Sequence, residues 1–380
     1  MTSRHKILFI IPNLQQGGAE RQILQLATRL PERFEPALCL FDDTIHYRED
    51  LARLPSAPRI VGSKRMNRSA YRRLVEIIRD EKPQIVQTYR DITNFWGRRA
   101  ALEAEVPVIV TSVRNRVLNI VNLLTERRLA KRTGRVLTNS EGVRRELARF
   151  ARVPPEKIQV VHNFIDVERF APPTEDARRA ARDQWGIADD EIILLVPARI
   201  AAQKHQAGLL TALNLLRRRG GLPERARVLL AGRQHSRPYA ALVRRMLRWF
   251  GLTDRVTYLG RVADMVPLYG AADILVLPSL YEGSPNAVLE GASCGLPAVV
   301  SHAANIDGLV VDGQTGFEAP TFNRSALATA LGRCLALDAE ARRRMGALGR
   351  AHIQAHFSAE RIRDEMTTLY DGLLRDRGLA

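Results

Sequence analysis

Long apolar runs are missing from this 380-residue sequence. Stretches such as Ile192 to Val196 fall far short of the roughly 20 residues that a membrane-crossing helix requires. Nor does a secretory leader show at the start. Met1 to His5 runs directly into a strand-like segment, Lys6 to Ile11, so a cytoplasmic location is expected. Cysteine is scarce. Cys39, Cys294 and Cys334 are odd in number and have no paired spacing, which excludes a disulfide framework and a zinc site and leaves them as small buried hydrophobes. Aromatic residues make up only 6% and do not interleave with the arginines, which argues against a nucleic-acid partner. Negative charge is also short: 41 Asp and Glu face 58 Lys and Arg, a net charge of +17 that implies some anionic surface or ligand.

What is present has an ordinary soluble composition, 46% hydrophobic and 26% charged, in a chain long enough for two domains. Short β-branched and aliphatic runs alternate with helical patterns, as repeated βα units around parallel sheets would. The first half reads as strands near Ile7 to Ile11, Ala37 to Phe41, Ile85 to Thr88, Val108 to Val113, Val136 to Thr138 and Ile158 to Val161. The second reads as strands near Ile192 to Val196, Val228 to Ala231, Val256 to Leu259, Ile274 to Leu277 and Ala298 to Ser301. Pro172 and Pro173, followed by a polar stretch, mark the expected linker, with one domain over 1–172 and a second over 173–358. A last helix over 359–380 packs back on the first domain in this reading, although either half offers it a surface.

The most informative segment runs from Pro278 to Pro297 (PSLYEGSPNAVLEGASCGLP). A strand ends at Pro278, and a loop carries Glu282 and Gly283. Ser284 and Pro285 are expected as N-cap and first helical residue, and Gly295 as the left-handed C-terminal cap. Such a helix turns free backbone N–H groups at Gly283, Ser284, Asn286 and Ala287 towards a phosphate or a sugar hydroxyl. Helical side chains lean back towards the N-terminus, so Glu290 and Glu282 are placed to flank one ligand. Carboxylates suit sugars because each accepts charge-assisted hydrogen bonds from neighbouring hydroxyls. Arg199 and Lys204 follow the first strand of the second half, at the carboxyl edge where open α/β sheets bind ligands, and two fixed cations there neutralise phosphates.

This Glu-x7-Glu segment resembles that of the retaining glycosyltransferases of family 4. Gly17 to Arg21 (GGAER) is similar to the family's glycine-rich loop between first strand and first helix, and Pro197 to Arg199 with Lys204 to its pair of cations on the donor diphosphate. Leu259 to Val262, which includes Arg261, Tyr269 to Ser279 and Asp312 to Phe317 extend the resemblance along nearly the whole chain. The resemblance implies the GT-B fold, an α/β architecture of two Rossmann-like domains with parallel sheets facing across a central cleft. It implies glycosyl transfer from a UDP- or GDP-sugar to a saccharide or lipid-linked acceptor, in cell-surface polysaccharide or lipopolysaccharide synthesis. Glu282, Arg199 and Lys204 would serve catalysis. Glu290, Gly283, Ser284, Asn286, Ala287 and Arg261 would bind the donor, and Gly17 and Gly18 the acceptor or its phosphate. No cofactor is expected beyond the donor, and no metal, since an Asp-x-Asp pair to hold a divalent cation is absent. His162 and His205 have no partner at metal-ligand spacing and read as surface or satisfied histidines.

The chain departs from that pattern in two places. Where family members often carry a histidine after the strand Val108 to Val113, the sequence reads Ser112 to Arg116 (SVRNR), so that Arg114 or Asn115 fills the place. An arginine is no base near neutral pH but holds an acidic acceptor or a phosphate. At Ala303 to Gly308 the usual glycines and Pro-Glu are replaced. Separately, aliphatic residues from Val117 to Leu124 lead into Arg127, Arg128, Lys131, Arg132 and Arg135. This segment reads equally as a surface for an anionic membrane, giving a peripheral location on its inner face, or as a core-facing helix with a basic C-terminal end. A nucleotide-sugar epimerase of the same fold, which needs no acceptor, and a basic nucleic-acid-binding protein are the alternative functions.

Overall fold

A computed structural model describes residues 4–15, 17–114 and 120–379. The chain divides into two compact units, one of Met1–Phe164 with Ala359–Ala380 and one of Ile165–Ser358. The first holds strands β1 (His5–Ile11), β2 (Phe34–Leu40), β3 (Arg59–Ile60), β4 (Ile85–Tyr89), β5 (Val108–Val113), β6 (Arg135–Thr138) and β7 (Ile158–Val160). They form one seven-stranded sheet in the order β3-β2-β1-β4-β5-β6-β7. The second holds β8 (Ile192–Pro197), β9 (Ala226–Ala231), β10 (Val256–Gly260), β11 (Ile274–Leu277), β12 (Ala298–Ser301) and β13 (Gly316–Ala319), in the order β10-β9-β8-β11-β12-β13. Every pairing is parallel.

Parallel sheets are covered on both faces, which is why β1 and β8 are continuous apolar runs rather than alternating ones. Ile7 to Ile11 and Ile193 to Val196 are all fully buried. Each unit carries its own cores: one cluster around β8, β11 and β12, and two on opposite faces of the β1 sheet. The last helix, Ala359–Arg375, belongs to the first unit and buries Ile362, Met366, Tyr370 and Leu373 in the cluster containing Ile7 and Phe34. Its Asp371 carboxylate accepts from the Arg33 guanidinium at 2.8 Å.

The boundary differs from the expected one. Residues 165–172 belong with the second unit: the Ile165 N–H donates to the Phe357 carbonyl at 3.0 Å, and the Phe170 carbonyl accepts from Ser293 Oγ at 2.6 Å. Pro172 packs beside Gly295 and Pro173 beside Gly270, so the two prolines line the second unit instead of linking the two. Proline pairs mark chain stiffness, and stiffness serves a packed segment as well as a tether. No helix among the described residues is long and apolar enough to cross a membrane.

Candidate active site

In the second unit the strand order reverses between β8 and β11, since β8 leads outward to β9 and β10 while β11 leads the other way to β12 and β13. Loops leaving two neighbouring strands in opposite directions open a crevice at their carboxyl ends. Arg199 and Lys204 leave β8 there, and Glu282 leaves β11. Lys204 Nζ meets Glu282 Oε1 in an ion pair, 78 positions apart in the chain, with both side chains mostly sheltered from solvent. Gln203, which the sequence did not single out, ties the two loops. Its backbone carbonyl accepts from Leu280 N–H at 2.8 Å, its side-chain amide donates to the Tyr281 carbonyl at 2.9 Å, and its Oε1 accepts from Arg199 Nη2 at 2.6 Å.

Glycine is required beside these loops. Gly232, after β9, has φ +156°, and a Cβ on it would lie 2.4 Å from the Ala198 carbonyl oxygen. That close approach holds Ala198 and Arg199 at the sheet edge. Arg261 follows Gly260 at the end of β10, two strands out from β8, and is exposed.

The helix after Glu282 spans Asn286–Ser293, so the N-cap is Pro285 (φ −78°, ψ 105°) and the first helical residue Asn286, one position later than expected. Ser284 is buried ahead of the cap, and Pro285 itself makes no side-chain capping bond. Gly295 has the expected left-handed φ of +81°. Glu290 lies one turn or so in and is buried, and its Oε2 accepts from Tyr269 Oη at 2.7 Å. Tyr269, buried against Phe170 at 6.1 Å, is the second residue that motif reading missed as a site partner.

His205 follows Lys204 with φ +54°, and its ring occupies the space above Gly208, where a Cβ would lie 2.1 Å from Nε2. Burial, aided by Arg324, lowers its pKa from 6.5. His162 is half-buried. The three cysteines are free and buried, and burial pushes each thiol up to about 12.

In the first unit, Gly17 is the extended N-cap of the helix Gly18–Ala27 (φ −163°). Its lack of a side chain leaves room for Glu20: a Cβ there would lie 2.2 Å from Glu20 Oε2. Glu20 is buried, and Oε1 accepts from Arg90 Nη1 at 2.5 Å. Arg90, at the end of β4, has φ +76°, a backbone strain of the kind that persists where surrounding structure enforces it. Neither residue was singled out from sequence, because their chain separation of 70 hides the pair. Arg114 sits at the end of neighbouring β5. Its guanidinium carbon lies 5.2 Å from the centre of the Tyr89 ring, and Nη1 donates to Asn163 Oδ1 at 2.7 Å. Burial lowers its pKa from 12.5 but the side chain stays charged, and burial raises that of Tyr89. Beneath it, Gln87 donates to Tyr89 Oη at 2.6 Å and accepts from Tyr370 Oη of the last helix. Asn115 lies outside the described residues.

Residues 16–169 match the family described as Glycosyltransferase Family 4, and residues 191–336 the one described as Glycosyl transferases group 1. The chain is 29% identical over 263 residues to an alpha-D-kanosaminyltransferase of Streptomyces kanamyceticus, covering 68% of this chain and 66% of that protein. It is 27% identical over 252 residues to an Escherichia coli UDP-Gal:alpha-D-GlcNAc-diphosphoundecaprenol alpha-1,3-galactosyltransferase, covering 64% of each. These alignments thus span just under two thirds of the curated relatives. Among solved structures, Anabaena HepE in complex with UDP and glucose superposes with a TM-score of 0.86 at 20% identity, over 97% of this chain and all of that one. The fold is GT-B.

Proposed function

We propose, from the premise that this chain belongs to glycosyltransferase family 4, that it moves a glycosyl group from a nucleoside diphosphate sugar to a saccharide or lipid-linked acceptor, with retention of configuration and without a metal. The observation that carries this reading is the Lys204–Glu282 pair at the point where the second sheet reverses its strand order. A cation for phosphate and a carboxylate for hydroxyls stand in contact there, ahead of a helix N-terminus whose cap residue is Pro285.

The roles follow from charge. As the anomeric C–O bond breaks, its electron pair goes to the diphosphate. Arg199, Lys204 and the N–H groups of Gly283, Ser284, Asn286 and Ala287 stabilise that growing charge. Glu282 accepts from hydroxyls of the donor sugar and orients it, exchanging its bond to Lys204 for bonds to the ligand. Glu290, anchored by Tyr269, takes the ribose hydroxyls. Arg261 provides a further cation for the donor. Gly17, Gly18 and Arg114 serve the acceptor. Arg114 selects an acidic group, a task a histidine performs less well at neutral pH. UDP sugars are the first choice of donor, in line with the nucleotide named for the Anabaena and Escherichia coli proteins. A lipid-linked saccharide of cell-surface polysaccharide synthesis is the first choice of acceptor, and the cytoplasm the place of reaction.

The test is transfer from UDP and GDP sugars to lipid-linked saccharides, preceded by thermal-shift screening of the donors. A donor at a hundred times its Kd stabilises by about 2.7 kcal/mol. Labelled sugar appearing on the acceptor supports the reading. Conversion of the donor to an epimer with no acceptor present, or no stabilisation by any nucleotide sugar, overturns it.

A further inference from the structure

The first sheet also reverses its strand order, between β1, which leads outward to β2 and β3, and β4, which leads the other way to β5, β6 and β7. Gly17 and Glu20 lie in the loop and first helical turn after β1, and Arg90 directly follows β4. The Glu20–Arg90 pair therefore joins the two loops across the reversal. In each unit a cation–carboxylate pair bridges the loops at the same topological point, the place where open α/β sheets bind ligands.

Gly17 and Glu20 are fitted to each other. Gly17 is extended, a conformation open to any residue, so its backbone does not call for glycine. The Glu20 carboxylate does: Oε2 takes the space of a Cβ at position 17, and Oε1 accepts from Arg90 Nη1. The other guanidinium N–H groups of Arg90 have no partner among the described residues, and its side chain is 51% exposed. A purely structural pair looks different. Arg98, on the helix Asp91–Glu103, and Glu126, on the helix Ile120–Leu129, bury both side chains. The Asp91 carboxylate next to Arg90 is engaged by Asn122 at 2.8 Å. One strand over, Arg114 makes no ion pair among the described residues, and its Nε is buried without a partner. Its neighbours Asn163 and Tyr89 are uncharged, and Glu20 is the carboxylate that acts on it as well as on Arg90. Two guanidiniums thus share one carboxylate, and a sheltered guanidinium short of a counter-charge is costly until an anion arrives.

From this arrangement we propose that Glu20 is a positioning residue that holds Arg90 as a second cation, with Arg114, for an oxyanion of the acceptor, a phosphate or a sugar carboxylate. Nε and Nη2 of Arg90 form the open edge of its fork, and two parallel N–H donors suit such a group. The strained φ of Arg90 belongs to this task, since Glu20 fixes the side chain that the backbone presents. Gly17 then serves the acceptor through Glu20 and Arg90 rather than by touching it. The inference rests on the proposed transfer for naming the ligand an acceptor, whereas the anion site itself is tested without a donor sugar.

The test is calorimetric titration of the full chain at low salt with inorganic phosphate, glucuronate and neutral glucose. An anion should bind and glucose should not, and the tighter of the two anions tells a phosphorylated acceptor from an acidic sugar. Arg90→Gln and Arg114→Gln should each weaken that binding at least about tenfold, whereas Lys204→Gln, in the second unit, should retain it. Glu20→Gln gives a sign. Positioning predicts weaker binding, while loss of a simple counter-charge would tighten it. Gly17→Ala should weaken binding by a factor similar to Glu20→Ala, and the double variant by no more than either. All variants should keep the wild-type melting temperature; if those at Glu20 melt lower, Arg90→Gln, at a half-exposed side chain, carries the test. Unchanged affinity in Arg90→Gln, tighter binding in Glu20→Gln, or additive losses at Gly17 and Glu20 would overturn the proposal. Failure of every nucleotide sugar to stabilise the chain, with these losses in place, would overturn the proposed transfer and leave the anion site standing.

Discussion

At the scale of single residues, the candidate site residues of each unit are held in pairs whose members lie far apart in the chain. Glu282 and Lys204 are 78 positions apart, Glu20 and Arg90 70, Glu290 and Tyr269 21. Motif spacing reveals a residue when the motif itself sets its place on a helix or loop, as for Glu282 and Glu290, and hides its partner on another strand. Replacing Glu282 with Ala removes the hydroxyl acceptor and leaves Lys204 without its counter-charge. Transfer should fall by about 10²–10³ in kcat while the melting temperature holds within a few degrees, as single transition-state contacts do. Wild-type turnover in that variant would remove Glu282 from the mechanism. Tyr269→Phe deletes the hydroxyl that donates to Glu290 Oε2 at 2.7 Å. A hydrogen bond to a charged group contributes about 1.5–3 kcal/mol. A rise in KM for the donor with little change in kcat is expected, and an unchanged KM would separate Glu290 from donor binding.

At the scale of elements, short apolar runs identified the central strands, whereas two edge strands escaped. β3 is only two residues long, and β13 (GFEA) carries a glycine and a glutamate that no apolar pattern marks. Edge strands are defined by what they pair with, and pairing is a tertiary event. The helix Ile120–Leu129 shows the same limit differently: its aliphatic residues read equally as a membrane surface or a core-facing helix, and in the structure the Arg98–Glu126 pair turns Glu126 inward while Leu123 packs on the core and Ile120, Val121 and Leu124 are exposed. Close helix packing also depends on glycines that carry no local signal. A Cβ at Gly346, on the helix Ala339–Phe357, would lie 1.8 Å from the Gly295 carbonyl oxygen at the end of the helix bearing Glu290. Gly346→Ala should therefore push the two helices apart. A loss of about 1–3 kcal/mol in urea unfolding is expected, with weaker donor binding. Unchanged stability would show that the contact relaxes freely.

At the scale of the whole molecule, the first unit is made from both ends of the chain, and its last helix covers the cluster containing Ile7 and Phe34. Ending the chain at Ser358 should uncover that cluster and leave Gln87 without Tyr370. Calorimetry should then show the first unit melting early while the second, with its own core, retains its transition. Loss of both together would mean the units fold as one. Stability should also depend on pH through His205. Its pKa is lowered in the folded state, so the unfolded chain takes up a proton near pH 6.5 that the folded chain refuses. The contribution is complete above pH 6.5 and is lost as pH falls through the lower folded value. The urea midpoint should drop below pH 6.5 in the wild type and drop less in His205→Gln; equal slopes would assign the effect elsewhere.

The amino-acid sequence by itself determined the α/β class, nearly all the central strands, and the expectation that Arg199, Lys204, Glu282 and Glu290 serve one site; the structure joins Lys204 to Glu282 and ties Arg199 to the same loops through Gln203. Periodicity and motif spacing are local quantities, set by backbone geometry over a few residues. Tertiary structure alone decided where the units divide, that Gln203 and Tyr269 hold the site's loops and carboxylate, and that Glu20 engages Arg90. It also decided which face of the helix Ile120–Leu129 meets solvent. Each of these depends on burying charge or backbone against a partner dozens of residues away, and the energy of such burial exists only once the chain has folded.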